Sequence, residues 1–288
     1  MTTWQRLRCA AAIGGVALLA ACTPYTVAPT NDQQSAKELG QACCAALEVY
    51  PDPMVSIMEP KADESALLNK PQVLRRPYLK DKPEAWDYVM GYLRPLDILL
   101  VSDKSQISGY LIPGYFSHSL VYLGTETQLR QRGLWDLPAL RQHHDRIRKG
   151  EVFFESTPPA VTFSPAEQVF DVDSVAVLRP DLDQSERDYA LTTLVAQLGK
   201  PFDMRMDLSS QSCLFCAELI NLAMPSLSLP QQQAYGRTLI VPDAIAVHAI
   251  TPQTGLAVVG FVARGRSGVE SLPIESMAST IKHHWPNS

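Results

Sequence analysis

The sequence predicts an α+β domain, and three observations carry that prediction. Short apolar runs of strand length recur between residues 96 and 178. Segments with apolar residues at helical spacing lie among and after them rather than in strict alternation with them. No internal repeat or low-complexity block interrupts the pattern.

Taken in order, residues 33–49 (QQSAKELGQACCAALEV) carry helix formers at helical spacing, and Pro51 and Pro53 end the run. Cys43 and Cys44 read there as small buried residues, since neighbouring cysteines do not readily bond each other. Residues 61–81 are charged and irregular, and Pro83 opens a short helix reaching Leu93. LDILLV (96–101) is a compact strand, followed by a loop with Gly109, Pro113 and Gly114 and by a second strand, SHSLVYLG (117–124). Residues 136–149 read as a charged helix and EVFFE (151–155) as a third strand. Residues 161–163 and 175–178 add two short strands, and residues 184–198 form an amphipathic helix stopped by Gly199 and Pro201. Ser209, Ser210 and Ser212 suit the cap of an apolar helix over 213–224. A short helix over 242–248 and a strand over 256–263 complete the domain.

The N-terminus has a different character. Arg6 and Arg8 precede an apolar run from Ala10 to Ala21, far short of the roughly 20 residues that span a bilayer. It ends in Leu19-Ala20-Ala21-Cys22, which resembles the bacterial lipobox. That resemblance implies cleavage before Cys22, lipid on its thiol and, with Thr rather than Asp at position 23, a place at the outer membrane facing the periplasm. Residues 1–21 are then a signal peptide, the Pro/Thr-rich stretch 22–32 a tether, and 33–288 the folded domain. Several acyl chains together make such anchoring stable. No other apolar run approaches bilayer length, so the remainder is expected to be soluble.

Without the signal, 267 residues remain. Removing Arg6 and Arg8 leaves 23 basic against 30 acidic side chains, a formal charge of −7. An acidic chain argues against nucleic acid as a partner. Of six cysteines, Cys9 leaves with the signal and Cys22 takes lipid. Cys213 and Cys216 form a Cys-x-x-Cys pair compatible with a disulfide, a redox couple or half a metal site. No further ligands of suitable spacing accompany them, so no metal and no cofactor is expected.

A thiol near a helix start with a histidine beside it becomes a useful nucleophile. Cys216 lies near such a start. Among the histidines, His143 and His144 sit in a charged segment and His283 and His284 in the tail, which reads as surface; His248 lies in the short helix after Pro242. His118 differs, because it opens an apolar strand directly after a Gly/Pro loop. Glu155, closing the strand VFFE, is placed to orient an imidazole on a neighbouring strand.

The order of histidine on a strand, glutamate at a strand end and cysteine at a helix start resembles the permuted papain-like enzymes of the YiiX/YebB type, circularly permuted relatives of the NlpC-type cell-wall peptidases. The matching segments are LDILLV, SHSLVYLG, VFFEST (152–157) and CAELI (216–220). The resemblance implies a small antiparallel sheet or barrel packed on a helix that carries the nucleophile at its N-terminus. It further implies Cys216 as nucleophile, His118 as general base and acid, and Glu155 as the orienting residue. Leu96 departs from the pattern, which has Gly before Asp97. Glu218, about 200° round the helix from Cys216 at 100° per residue, reads as a buried or packing-supported hydrogen-bonding residue, and the resemblance implies that FDMRMD (202–207) lines the cleft, without a catalytic role.

The expected chemistry is attack of the Cys216 thiolate on an amide or ester carbonyl, an acyl-enzyme, and release by water. Resolution by an alcohol or amine would instead make an acyltransferase, as in LRAT-like relatives, and a silent cleft would make a binding module. A tethered envelope hydrolase meets peptidoglycan peptides or lipid-like amides and esters.

Overall fold

The computed structural model describes residues 39, 43, 44, 73–106 and 108–285. The signal peptide, Cys22 and the tether lie outside the described residues. No described helix is long and apolar enough to cross a membrane.

The chain runs α1 (Pro83–Tyr92), β1 (Ile98–Ser102), α2 (Ser108–Leu111), β2 (His118–Tyr122), α3 (Glu126–Gln131) and α4 (His144–Arg148). The hairpin β3 (Phe153–Thr157) and β4 (Ala160–Ser164) leads through α5 (Ala166–Val169) to β5 (Ser174–Pro180) and α6 (Gln184–Ala196). Then come α7 (Cys216–Ala223), the small hairpin β6 (Gln232–Ala234) and β7 (Arg237–Leu239), α8 (Pro242–Ile250), β8 (Leu256–Arg264), β9 (Val269–Ser271) and α9 (Ile274–His284).

Seven strands form one antiparallel sheet in the order β4-β3-β2-β1-β5-β8-β9. This corrects the expectation of a small sheet or barrel. The nine-residue β8 pairs with β5 and carries β9 at its far end, so the sheet widens and its edge strands β4 and β9 stay apart. β1, fully buried along ILLVS, sits at the centre, as a strand covered on both faces requires. The sheet core includes Ile98, Leu99, Val121, Phe153, Phe154, Val177 and Phe261, each at most 1% exposed. Burying one such side chain is worth about 1.5–3 kcal/mol.

Local rules set several boundaries. Asp183 and Glu186 form a reciprocal capping box on α6, with bonds of 2.9 and 2.8 Å, and Thr125 with Gln128 does the same for α3. The predicted helix over 136–149 is shorter than expected: a turn before Leu140 leads through a 3-10 segment (Arg141–His143) into α4. Pro138 interrupts the run, since it has no N–H for a helical bond. That detour buries His143 beside Phe163, at 5.2 Å between ring centroids, and stacks His144 on Trp135, so neither belongs to the solvated helix expected. Cys43 N–H bonds Leu39 O in helical fashion, but Cys43 and Cys44 lie in a bend and are joined as a disulfide, not two separate thiols as expected.

Candidate active site

α7 starts at Cys216, three residues later than the sequence suggested, and the serines before it do not cap it. Leu214 is held extended: its N–H bonds Pro201 O, its carbonyl accepts from Asp203 N–H, and Ser156 Oγ donates to the same carbonyl at 2.6 Å. Phe215 is therefore the extended N-cap residue, and the buried Glu218 carboxylate reaches back to its N–H at 3.4 Å. Cys216 becomes the first residue of the helix, where unpaired N–H groups and the helix dipole favour negative charge. The thiol is on a residue only 3% exposed.

Its neighbour is supplied by β2, on which α7 packs. His118 opens β2 opposite Val101, and its ring is 23% exposed, so the site is reachable from solvent on the histidine side. His118 Nε2 lies 2.7 Å from Glu155 Oε2. The pairing follows from register: Val121 faces Phe154, so one step further Glu155 stands across from Leu120, diagonal to His118. Glu155 in turn faces Thr162 on β4, and Ser164, the corresponding diagonal residue, donates its hydroxyl to Glu155 Oε1. With Nε2 engaged by the carboxylate, the ring is near enough to Cys216 for each group to shift the other's protonation.

The electrostatics follow from this line of groups. Burial pushes the Cys216 thiol up, but the neighbouring His118 imidazole, helped by Ser119, outweighs it and leaves the thiol below its ordinary value. Burial pulls the imidazole down, and Cys216 and Glu155 together raise it above its usual range. Burial also raises Glu155, and His118 and Ser164 more than reverse that. All three shifts favour a thiolate, imidazolium and carboxylate in a row.

The structure thus brings together Cys216, His118 and Glu155, the three side chains the sequence singled out. Three of the other histidines are hydrogen-bonded elsewhere: His248 Nε2 bonds Leu227 O, His144 Nε2 bonds Trp135 O, and His284 Nδ1 bonds Thr280 O. Cys213 lies outside the helix, so it does not share a helix face with Cys216; it pairs with Ser210 Oγ at 2.9 Å, and both cysteines are free thiols. Glu218 is a buried packing residue as expected, and burial pushes its carboxyl up to about 7 against the Phe215 N–H, with Asp203 adding to the rise. Asp203 shapes the 203–207 turn by accepting from Arg205 N–H and Asp207 N–H.

Ser164, Ser119 and Asp243 were not anticipated. Ser164 was readable from strand alternation once β4 was paired with β3. Asp243 was not, because it acts across 127 residues: its buried carboxylate accepts from Tyr115 N–H, Phe116 N–H and Trp285 Nε1 and pins the loop that leads to His118. Among the described residues no group of three or more His, Cys, Asp or Glu side chains is arranged to hold a metal ion.

Fold and site together define an α+β protein with a thiol-centred site between a helix start and the strands of an open antiparallel sheet. No protein-family model matches the sequence, and no curated protein matches it. Among solved structures, the metalloprotein yiiX from Escherichia coli O157:H7 is similar with a TM-score of 0.41 and 16% identity, over 57% of this chain and 95% of that one.

Proposed function

We propose that this chain is a cysteine hydrolase of the permuted papain-like kind, cleaving an amide or ester through an acyl-enzyme on Cys216. The observation that carries the reading is the line Cys216, His118, Glu155, with 2.7 Å between imidazole and carboxylate and the thiol on the first residue of a helix. The thiolate attacks the carbonyl carbon, N–H groups of the first turn of α7 stabilise the oxyanion, and His118 gives its proton to the leaving amine or alcohol. The same imidazole, now neutral, takes a proton from water as the water attacks the thioester, and the thiolate is regenerated. Glu155 keeps the ring oriented and stabilises its charged form. Transfer to an alcohol or amine in place of water would make the same site an acyltransferase.

The lipobox-like Leu19-Ala20-Ala21-Cys22 supports a lipid-anchored protein of the bacterial envelope, at the outer membrane and facing the periplasm. There the substrates within reach are peptidoglycan peptides and lipid-like amides or esters. The test is acylation by a chromogenic ester, p-nitrophenyl butyrate, followed by mass spectrometry of the trapped protein. A butyryl adduct on Cys216 is expected, lost in Cys216→Ala and kept in Cys213→Ala. An adduct on Cys213, or none on either cysteine of the reduced protein, refutes the assignment.

A further inference from the structure

A cavity of about 540 Å³ opens between the β1–β2 loop, β8 and α9, and contains none of Cys216, His118 and Glu155. Its cations are unevenly partnered. Arg75 holds Asp173 through two bonds of 2.7 and 2.6 Å. Lys104 Nζ donates to the Gly109 carbonyl at 2.5 Å and lies over the Tyr110 ring, 5.4 Å from its centroid, and the Arg264 guanidinium lies over the Tyr78 ring, 4.8 Å from its centroid. Among the described residues neither has a carboxylate within ion-pair distance.

The carboxylates around Lys104 are committed elsewhere. Asp173 serves Arg75 and the N–H groups of Tyr78 and Lys104; Asp103 accepts from Ser105 and Gln106; Asp243 accepts from Tyr115, Phe116 and Trp285. Burial lowers Lys104 to about 8 despite those three carboxylates. An ammonium with so little compensation is what an incoming anion would stabilise.

Part of the lining is apolar. Tyr115, Phe261 and Trp285 form it with Ile112 and Leu272. Tyr110, 51% exposed, is also part of the lining, and Leu74, 58% exposed, bonds through its N–H to the carbonyl of Ser105, next to Lys104 in the chain. The volume falls in the range of small-molecule sites, roughly 300–1,000 Å³, and exceeds what a bare anion needs.

We propose that this cavity binds a single-chain amphiphilic anion, a carboxylate or phosphate on an aliphatic chain. Arg264 and Lys104 meet the head, and Tyr115, Phe261 and Trp285 meet the chain, which leaves past Tyr110 and Leu74.

Calorimetric titration of the whole chain with dodecyl phosphate, below its micellar concentration, tests this. One-to-one binding is expected, weakened at least about tenfold, or 1.4 kcal/mol, in the exposed-site variant Arg264→Gln and in Lys104→Met, and unchanged in Cys216→Ala. Inorganic phosphate and dodecanol should each bind at least about tenfold more weakly than dodecyl phosphate. Equal affinity for inorganic phosphate would reduce the site to a bare anion site, equal affinity for dodecanol would remove the cations from it, and indifference to Arg264→Gln would place binding elsewhere; each overturns the proposal.

Discussion

His118 Nε2 and Glu155 Oε2 stand 2.7 Å apart on neighbouring strands, and the second oxygen of Glu155 is held by Ser164. The carboxylate is therefore fixed from both sides before any substrate arrives. Glu155→Gln preserves the shape but removes the charge that favours imidazolium. Acylation of Cys216 by the chromogenic ester should fall by about 10²- to 10⁴-fold, the usual worth of positioned acid–base catalysis, while the melting temperature changes little. Undiminished acylation in this variant would leave Glu155 as a structural residue only.

The thiol's reactivity depends on His118 in a direction that can be measured. In the native site the His118 interaction outweighs burial and holds Cys216 below its ordinary value. Removing the ring takes away the main influence that opposes burial, so in His118→Ala the thiol should titrate higher than in the native protein. Iodoacetamide labelling of the Cys216 peptide against pH, read by mass spectrometry, should show its midpoint move upward. Coincident profiles for the two proteins would mean that the imidazole does not activate the thiol.

Much of this site was legible because its residues carry local signatures. His118 follows a Gly/Pro loop and opens an apolar strand; Glu155 ends VFFE; Cys216 begins CAELI. The helix start itself was misread because Leu214 is held extended by Pro201, Asp203 and Ser156, contacts made by residues distant in sequence. The sheet's true width was hidden for a similar reason. β9 is only Val-Glu-Ser, too short for a periodic signal, and acquires its identity by pairing with Val262–Arg264. α9 was passed over as a tail although Ile274, Met277, Ile281 and Trp285 recur at helical spacing, three of them buried.

Glu218 makes stability depend on pH. Its folded carboxyl is raised to about 7 from an ordinary 4.5, so between those values the folded state holds a proton that the unfolded state has released. Stability therefore falls as pH rises from about 4.5 to 7, by on the order of 3 kcal/mol at most. Glu218→Gln keeps an acceptor for the Phe215 N–H and removes the titration. Denaturant unfolding at pH 5 and pH 8 should show a loss between the two in the native protein that is markedly smaller in the variant. An identical loss in both would assign the pH dependence to other groups.

Leu96 offers a comparison in which the ordinary order of two substitutions reverses. It has φ +73°, a left-handed conformation that costs a leucine about 1–2 kcal/mol, yet it is 1% exposed and its N–H bonds Tyr122 O at 2.7 Å. Glycine is the residue for which that backbone is free of strain. Leu96→Ala loses the buried side chain, about 2–5 kcal/mol, and keeps the strain. Leu96→Gly loses the same packing but relieves the strain, offset by roughly 0.5–1 kcal/mol of added unfolded-state entropy. Both variants should be less stable than the native protein, with the glycine variant equal to or more stable than the alanine variant. At most positions glycine is the worse of the two. A glycine variant less stable than the alanine variant by the customary margin would show that the backbone at Leu96 is unstrained, and that packing alone keeps leucine there.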